Sequence, residues 1–227
     1  MKSVFTLLVG SLGLGGAFMG LVCPTEASGS HSPQTPQATR AKAFIKGLFQ
    51  QVGRILDNKK LDESAKKAKV TQLAHQAFDI DHIAKWLLWP TWNTMDQAQR
   101  NRFKNVSLAY VSDFFFKFAP KYLNDLQIHR VKPLSRDKKG GSSVALEVQA
   151  QVTDSESGRH VNVRVHIVNG KIRNMLVENV NLLEAKKREY RDRLRKVQGT
   201  DGKVNIDAFL NQLQDQLKSK THHKSKA

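Results

Sequence analysis

Apolar residues recur at two different spacings along this chain, and the changes between them divide it into helical and extended parts. Phe44, Leu48, Val52 and Leu56, with Ile45 and Phe49 beside them, recur at helical spacing and predict an amphipathic helix. Leu61 to Ala77 predicts a second, weaker helix, and Phe78 to Leu88 a third that Pro90 ends or redirects. Thr94 and Gln97 are spaced as a capping box ahead of a long helix reaching about Phe118. That helix carries two apolar stripes: Phe103, Val106, Tyr110 and Phe114 on one side, and Leu108, Val111, Phe115 and Phe118 on the other. A helix apolar on more than one side is enclosed by other elements or faces a cavity.

After Pro120 the period becomes two. Val144, Leu146, Val148, Ala150 and Val152 alternate with Glu147, Gln149 and Gln151, and Val161, Val163, Val165 and Ile167 alternate with Asn162, Arg164 and His166. Each of these strands therefore has one dry face. Ser157-Gly158 turns between them, and Asn169-Gly170 is a strong hairpin signal leading into Ile172 to Val177. With a first strand at Leu126 to Lys132, the pattern predicts a four-stranded antiparallel meander. Helical spacing then returns in Leu183, Tyr190, Leu194 and Val197, and again in Ile206, Leu210, Leu213 and Leu217. Helices on both sides of a one-faced sheet in the sequence make the fold class α+β, with the helices packed on the apolar face. Periodicity alone fits either a solid core between those layers or a core with a hole in it.

Two segments carry a family resemblance. Phe78-Asp79-Ile80-Asp81-His82-Ile83-Ala84-Lys85 runs through Leu87-Leu88 to Trp92, then to Arg100 and Phe103. This resembles F-D-F/Y-x-x-M/I-A/S-R/K-x-V/A-L-G-x-x-W followed by Q-R-x-x-F, the pattern of the MlaC or toluene-tolerance family of periplasmic phospholipid carriers. Further along, Val177-Glu178-Asn179-Val180-Asn181-Leu182-Leu183 is similar to that family's V-E-G-V-S-L-V, again leading into a basic helix. The resemblance extends from about Phe44 to Leu217. The chain departs from the pattern at Trp89 and Asn179, where the family has glycine, at Gly170-Lys171-Ile172, which lacks a common Trp, and at Ala185-Lys186-Lys187 in place of N-Y-R.

The resemblance implies a sack in which helices and sheet enclose an apolar lipid cavity, the acyl chains lying between the layers and the phosphate head near the mouth. The energetics explain such a shape. At about 0.8 kcal/mol per buried CH₂, two chains of roughly thirty methylenes in all represent on the order of 24 kcal/mol of transfer free energy from water. A carrier must enclose both chains and needs no catalytic group. Leu108, Val111, Phe115 and Phe118 on the central helix, with Val163, Val165, Ile167 and Met175 on the dry strand faces, are the pocket-lining candidates. The cargo that the resemblance implies is phospholipid, and no other cofactor is expected. The implied partners are an inner-membrane ABC transporter complex with an MCE-type component and an outer-membrane lipoprotein complex.

The N-terminus independently argues for export. Met1-Lys2 is a short positive region, Val4 to Val22 is apolar with five glycines, and Thr25-Glu26-Ala27 is a small-residue cleavage site, so residues 1–27 read as a signal peptide. The alternatives are an uncleaved anchor and lipidation at Cys23. Cleavage after Ala27 leaves a periplasmic chain of about 200 residues without cysteine, which must draw its stability from one core. Residues 28–39 read as a flexible leader, 40–217 as the lipid-binding domain and 218–227 as a basic disordered tail.

The formal net charge of +17 suits an anionic partner. Transient contact with an anionic membrane surface fits an exported protein better than nucleic acid, because each Lys or Arg near such a surface contributes about 1 kcal/mol. An exported basic module for polyanions is the alternative function. Catalysis has little support: Asp79, Asp81 and His82 form one tight acid–imidazole group, but a carboxylate at Asp79 is placed to cap a helix. No phosphate loop, G-x-S-x-G or H-E-x-x-H occurs, and the eight histidines show no compact metal-ligand spacing.

Overall fold

The computed structural model of the chain describes residues 35–122, 125–134 and 144–222. The expected signal peptide, 1–27, lies outside them, as do 28–34 of the leader and 223–227 of the tail.

The first described element is helix α1 (Pro36–Asp57), with Pro36 in the first turn and Thr35 Oγ1 accepting from the Ala38 N–H at 3.3 Å. Helix therefore takes over four residues of the segment expected as flexible leader, because Thr35-Pro36 is itself a start signal. Helix α2 (Glu63–Ala77) opens on Asp62, whose Oδ1 accepts from the Ala65 N–H at 2.7 Å. Helix α3 (Ile80–Leu87) is short, and a 3₁₀ turn, Thr91–Thr94, follows it. The long helix α4 (Gln97–Tyr122) is capped by Asp96, not Thr94. Asp96 Oδ1 accepts from the Gln99 N–H at 2.7 Å and Gln99 Oε1 from the Asp96 N–H at 3.1 Å, a capping box two residues beyond the expected one. Thr94 cannot serve, since it closes the preceding turn and its hydroxyl donates to the Thr91 carbonyl at 2.8 Å.

The sheet is an antiparallel meander of five strands, one more than expected: β1 (Gln127–Pro133), β2 (Ala145–Thr153), β3 (His160–Val168), β4 (Lys171–Val177) and β5 (Val180–Asn181). Two residues are too few to show a period, so β5 left no mark in the alternation. It pairs with β4 through Glu178 and Asn179, at φ of 48° and 66°. Asn tolerates that left-handed conformation better than most side chains, so it can stand where the family has glycine. At the Asn169-Gly170 turn both residues also have positive φ, as the hairpin signal requires.

Register sets one apolar face. Val148 pairs with Val165, Ala150 with Val163 and Val165 with Met175, all buried. Helices α1 to α5 (α5, Leu182–Lys196) pack on the sheet, while α6 (Ile206–His222) packs on α4 and on α5. Helix α6 runs through the first five residues of the tail expected to be disordered. Phe103 of α4, Tyr190 of α5 and Phe209 of α6 meet ring to ring, with centroids 5.5 to 6.3 Å apart and exposures of 1% or less. Among the described residues no helix is long and apolar enough to cross a membrane.

Candidate functional site

Two backbone contacts tie the start of α3 to the sheet. Phe78 forms a parallel bridge with Ile172, and the Asp79 N–H donates to the Ile172 carbonyl at 3.0 Å. Asp79 caps α3, its Oδ1 accepting from the His82 N–H at 3.2 Å, as its place in the sequence implied. Its other oxygen accepts from Arg173 Nε at 2.8 Å. Burial alone would raise the Asp79 carboxyl, but the bond from His82 and the bond and charge of Arg173 outweigh it and hold the group below the usual carboxylate range. With both oxygens engaged structurally, Asp79 is poorly placed to act as a base.

Arg173 reaches Asp79 because β4 is bulged. Ile167 pairs with Ile172 and His166 with Asn174, which leaves Arg173 as the extra residue. A bulge of this kind re-aims a side chain, and here it does so beside a cavity.

That cavity, of about 40 Å³, lies between α3, α4, α5 and β4. Phe78 and Ile83 form one wall, Tyr110, Val111, Phe114 and Phe115 of α4 a second, Arg173, Asn174 and Met175 of β4 a third, and Leu182 and Leu183 of α5 a fourth. The volume is close to the share of one water, about 30 Å³, and far below the roughly 300–1,000 Å³ of a site that encloses a small molecule. The expected sack is thus nearly closed. Phe115 fills it, its ring edge-on to Phe78 at 5.3 Å, to Phe114 at 6.0 Å and to Phe49 at 6.5 Å.

Of the eight lining candidates, Val111, Phe115 and Met175 border this cavity. Val163, Val165 and Ile167 lie buried on the helix-facing side of β3, Leu108 is half-buried on α4, and half-buried Phe118 stacks on Phe114 at 5.0 Å; none of these five borders it. Sequence reasoning had chosen one stripe of α4, whereas the cavity draws on both: Tyr110 and Phe114 from one, Val111 and Phe115 from the other. Arg173 was also missed. The signal was present, since Ile172 and Met175 are three apart in a strand, and both can face the core only if the strand is bulged.

A cationic side chain packs on Tyr110, one of the lining residues. Lys186 Nζ lies 4.5 Å from the Tyr110 ring centroid and 4.8 Å from that of Tyr190, and donates to Glu189 at 2.7 Å. Burial first, then Glu189 and Asp113, push the Tyr110 hydroxyl up, so it stays neutral at physiological pH. Among the described residues no group of three or more His, Cys, Asp or Glu is placed to hold a metal ion.

The family model described as MlaC protein matches residues 46–215. Among solved structures, the chain is similar to the phospholipid-binding protein from Ralstonia solanacearum, whose structure is in complex with a phospholipid. The TM-score is 0.53 at 17% identity, covering 77% of this chain and 97% of that one. The two therefore share a fold. No curated protein matches the chain significantly.

Proposed function

This chain belongs to the MlaC family, and on that premise we propose that it is a periplasmic phospholipid-binding carrier that moves lipid between the inner and outer membranes of a Gram-negative envelope. The observation that carries the reading is the cavity between α4 and β4: an apolar-lined seam with an arginine at its edge. Its walls suit acyl chains, and the neighbour of like fold binds a phospholipid, which supports the same class of cargo here.

Loading requires the seam to widen. The Phe78, Phe114 and Phe115 rings must part, and the transfer free energy of the acyl chains, on the order of 24 kcal/mol for two, is ample to drive that rearrangement. The protein acts by binding rather than catalysis. Its partners are an inner-membrane ABC transporter with an MCE-type component and an outer-membrane lipoprotein assembly, and its net charge of +17 favours brief contact with anionic bilayers at either end.

Lipid extraction and mass spectrometry of protein purified from its native envelope test the reading. About one phospholipid per chain is expected. A protein that carries no lipid and takes none from phospholipid vesicles is not a carrier.

A further inference from the structure

Arg173 is the one charged side chain among the described residues lining the cavity. It stands where an apolar interior meets water, its side chain 31% exposed and that of Asp79 22%. Asp79 accepts from Nε, which fixes the plane of the guanidinium, and neither terminal nitrogen donates a hydrogen bond to another described residue. A fixed guanidinium edge is a two-pronged donor that matches two oxygens of a phosphate. Pairing with one carboxylate does not cancel the local field. The His82 imidazole nearby is held below its ordinary value, by local desolvation first and then by Arg173, whose effect exceeds the opposing one of Asp79 and is joined by that of Lys85.

We infer that Arg173 is the phosphodiester anchor of this carrier: its terminal N–H groups hold the headgroup phosphate at the rim while the acyl chains lie against Val111, Phe114, Phe115 and Met175. This rests on the phospholipid reading and adds to it a specificity. Cargo is selected by the phosphate that glycerophospholipids share, whatever lies beyond it, and a two-chain lipid without phosphate is disfavoured. Charge-assisted bonds at the edge of a low-dielectric pocket are worth more than the same bonds in water, which makes the position effective.

The test is competitive loading of the full chain, stripped of lipid, from vesicles containing phosphatidylglycerol and diacylglycerol with the same acyl chains. The parent should favour phosphatidylglycerol, and Arg173→Gln should lower that preference roughly tenfold. Arg173→Lys keeps a charge for Asp79 but loses the planar fork, and should lower it about threefold. Inorganic phosphate is a third probe and should not displace loaded lipid, because the chains supply most of the binding. A parent that loads neither lipid overturns the carrier reading itself. If the parent loads both and either folded variant keeps the parental preference, the carrier stands and the anchor falls. Displacement of the lipid by inorganic phosphate would make Arg173 part of a free-anion site and would overturn the anchor equally.

Discussion

The two ends of α4 are built from the same residue types and packed in opposite ways. At its N-terminal end Phe103 is fully buried between Tyr190 and Phe209, each ring meeting the others at 5.5 to 6.3 Å, with Leu210 of α6 also at 0% exposure. Toward its C-terminal end Phe114, Phe116 and Phe118 are only half-buried, Phe115 alone is fully covered, and a cavity lies against the helix. Helices α5 and α6 close the first end from outside, whereas the second end meets the sheet. Polar ties follow the same division: Arg102 bonds Asp207, Asn211 and Gln214 of α6 at 2.7 to 2.9 Å, all in the N-terminal half. An aromatic-rich helix can thus supply both a closed ring cluster and a less tightly covered seam, according to what packs on it.

The contrast predicts unequal costs for the same truncation. Phe103→Ala removes a fully buried ring from a closed cluster and should cost about 3–5 kcal/mol in denaturant unfolding. Phe114→Ala, beside space that already exists, should cost about 1–2 kcal/mol. Equal losses at the two sites would erase the distinction.

Enlargement should run the other way between sheet and seam. Val165 is 2% exposed and paired with Val148 and Met175, so Val165→Phe should overpack and cost about 1–3 kcal/mol. Val111→Phe, with the cavity to extend into, should cost under about 1 kcal/mol and still lower the amount of phospholipid bound. A Val111→Phe protein that loads lipid like its parent would show that chains do not use this seam.

Acid should act through three paired carboxylates, at the cap of α3, on β2 and on α5. Asp79, Glu147 and Glu189 all have carboxyls held low in the folded state. In each, burial opposes the shift and bonds to neighbours overcome it: His82 and Arg173 for Asp79; Gln149, Lys132 and His166 for Glu147; Lys186 and Arg193 for Glu189. A carboxyl lower in the folded than in the unfolded chain adds stability above its unfolded value, about 3.9 for Asp and 4.3 for Glu, and loses it as pH falls through the lower folded value. Melting temperature should therefore drop as pH falls below about 4, and Asp79→Asn, which keeps the cap of α3 but not the charge, should flatten part of that drop. An unchanged acid profile in Asp79→Asn would remove the Arg173 pair from the account.

The smallest effect concerns the basic C-terminus. Deleting residues 218–227 should weaken association with anionic vesicles at 0.01 M salt, where the Debye length is about 30 Å, and have little effect at 0.15 M, where it is about 8 Å. Bound lipid should not change. Equal vesicle binding with and without the segment at low salt would leave membrane contact to other basic residues.

Long periodic elements were legible in the sequence because burial acts on many residues at once. The two stripes of α4 and the paired alternation of β2 and β3 each repeat often enough to outweigh exceptions. What was not legible depends on single residues or on distance. Strand β5 is two residues long, the cap of α4 turned on whether Thr94 or Asp96 was free to serve, and Arg173 reaches the cavity only because of one extra residue in β4. Val163 and Val165 illustrate the larger difficulty: period two puts them on the correct face but cannot say which part of that face lies over packed side chains and which over the seam.

Photo-crosslinking with a phospholipid carrying a photoreactive group on its acyl chain tests the central claim most directly, because it records where the chains lie in the loaded protein. The account predicts adducts on Val111, Phe114, Phe115 and Met175, and none on Phe103, Tyr190 or Phe209. Adducts centred on that aromatic lock, or spread over the surface with none in the seam, would contradict it.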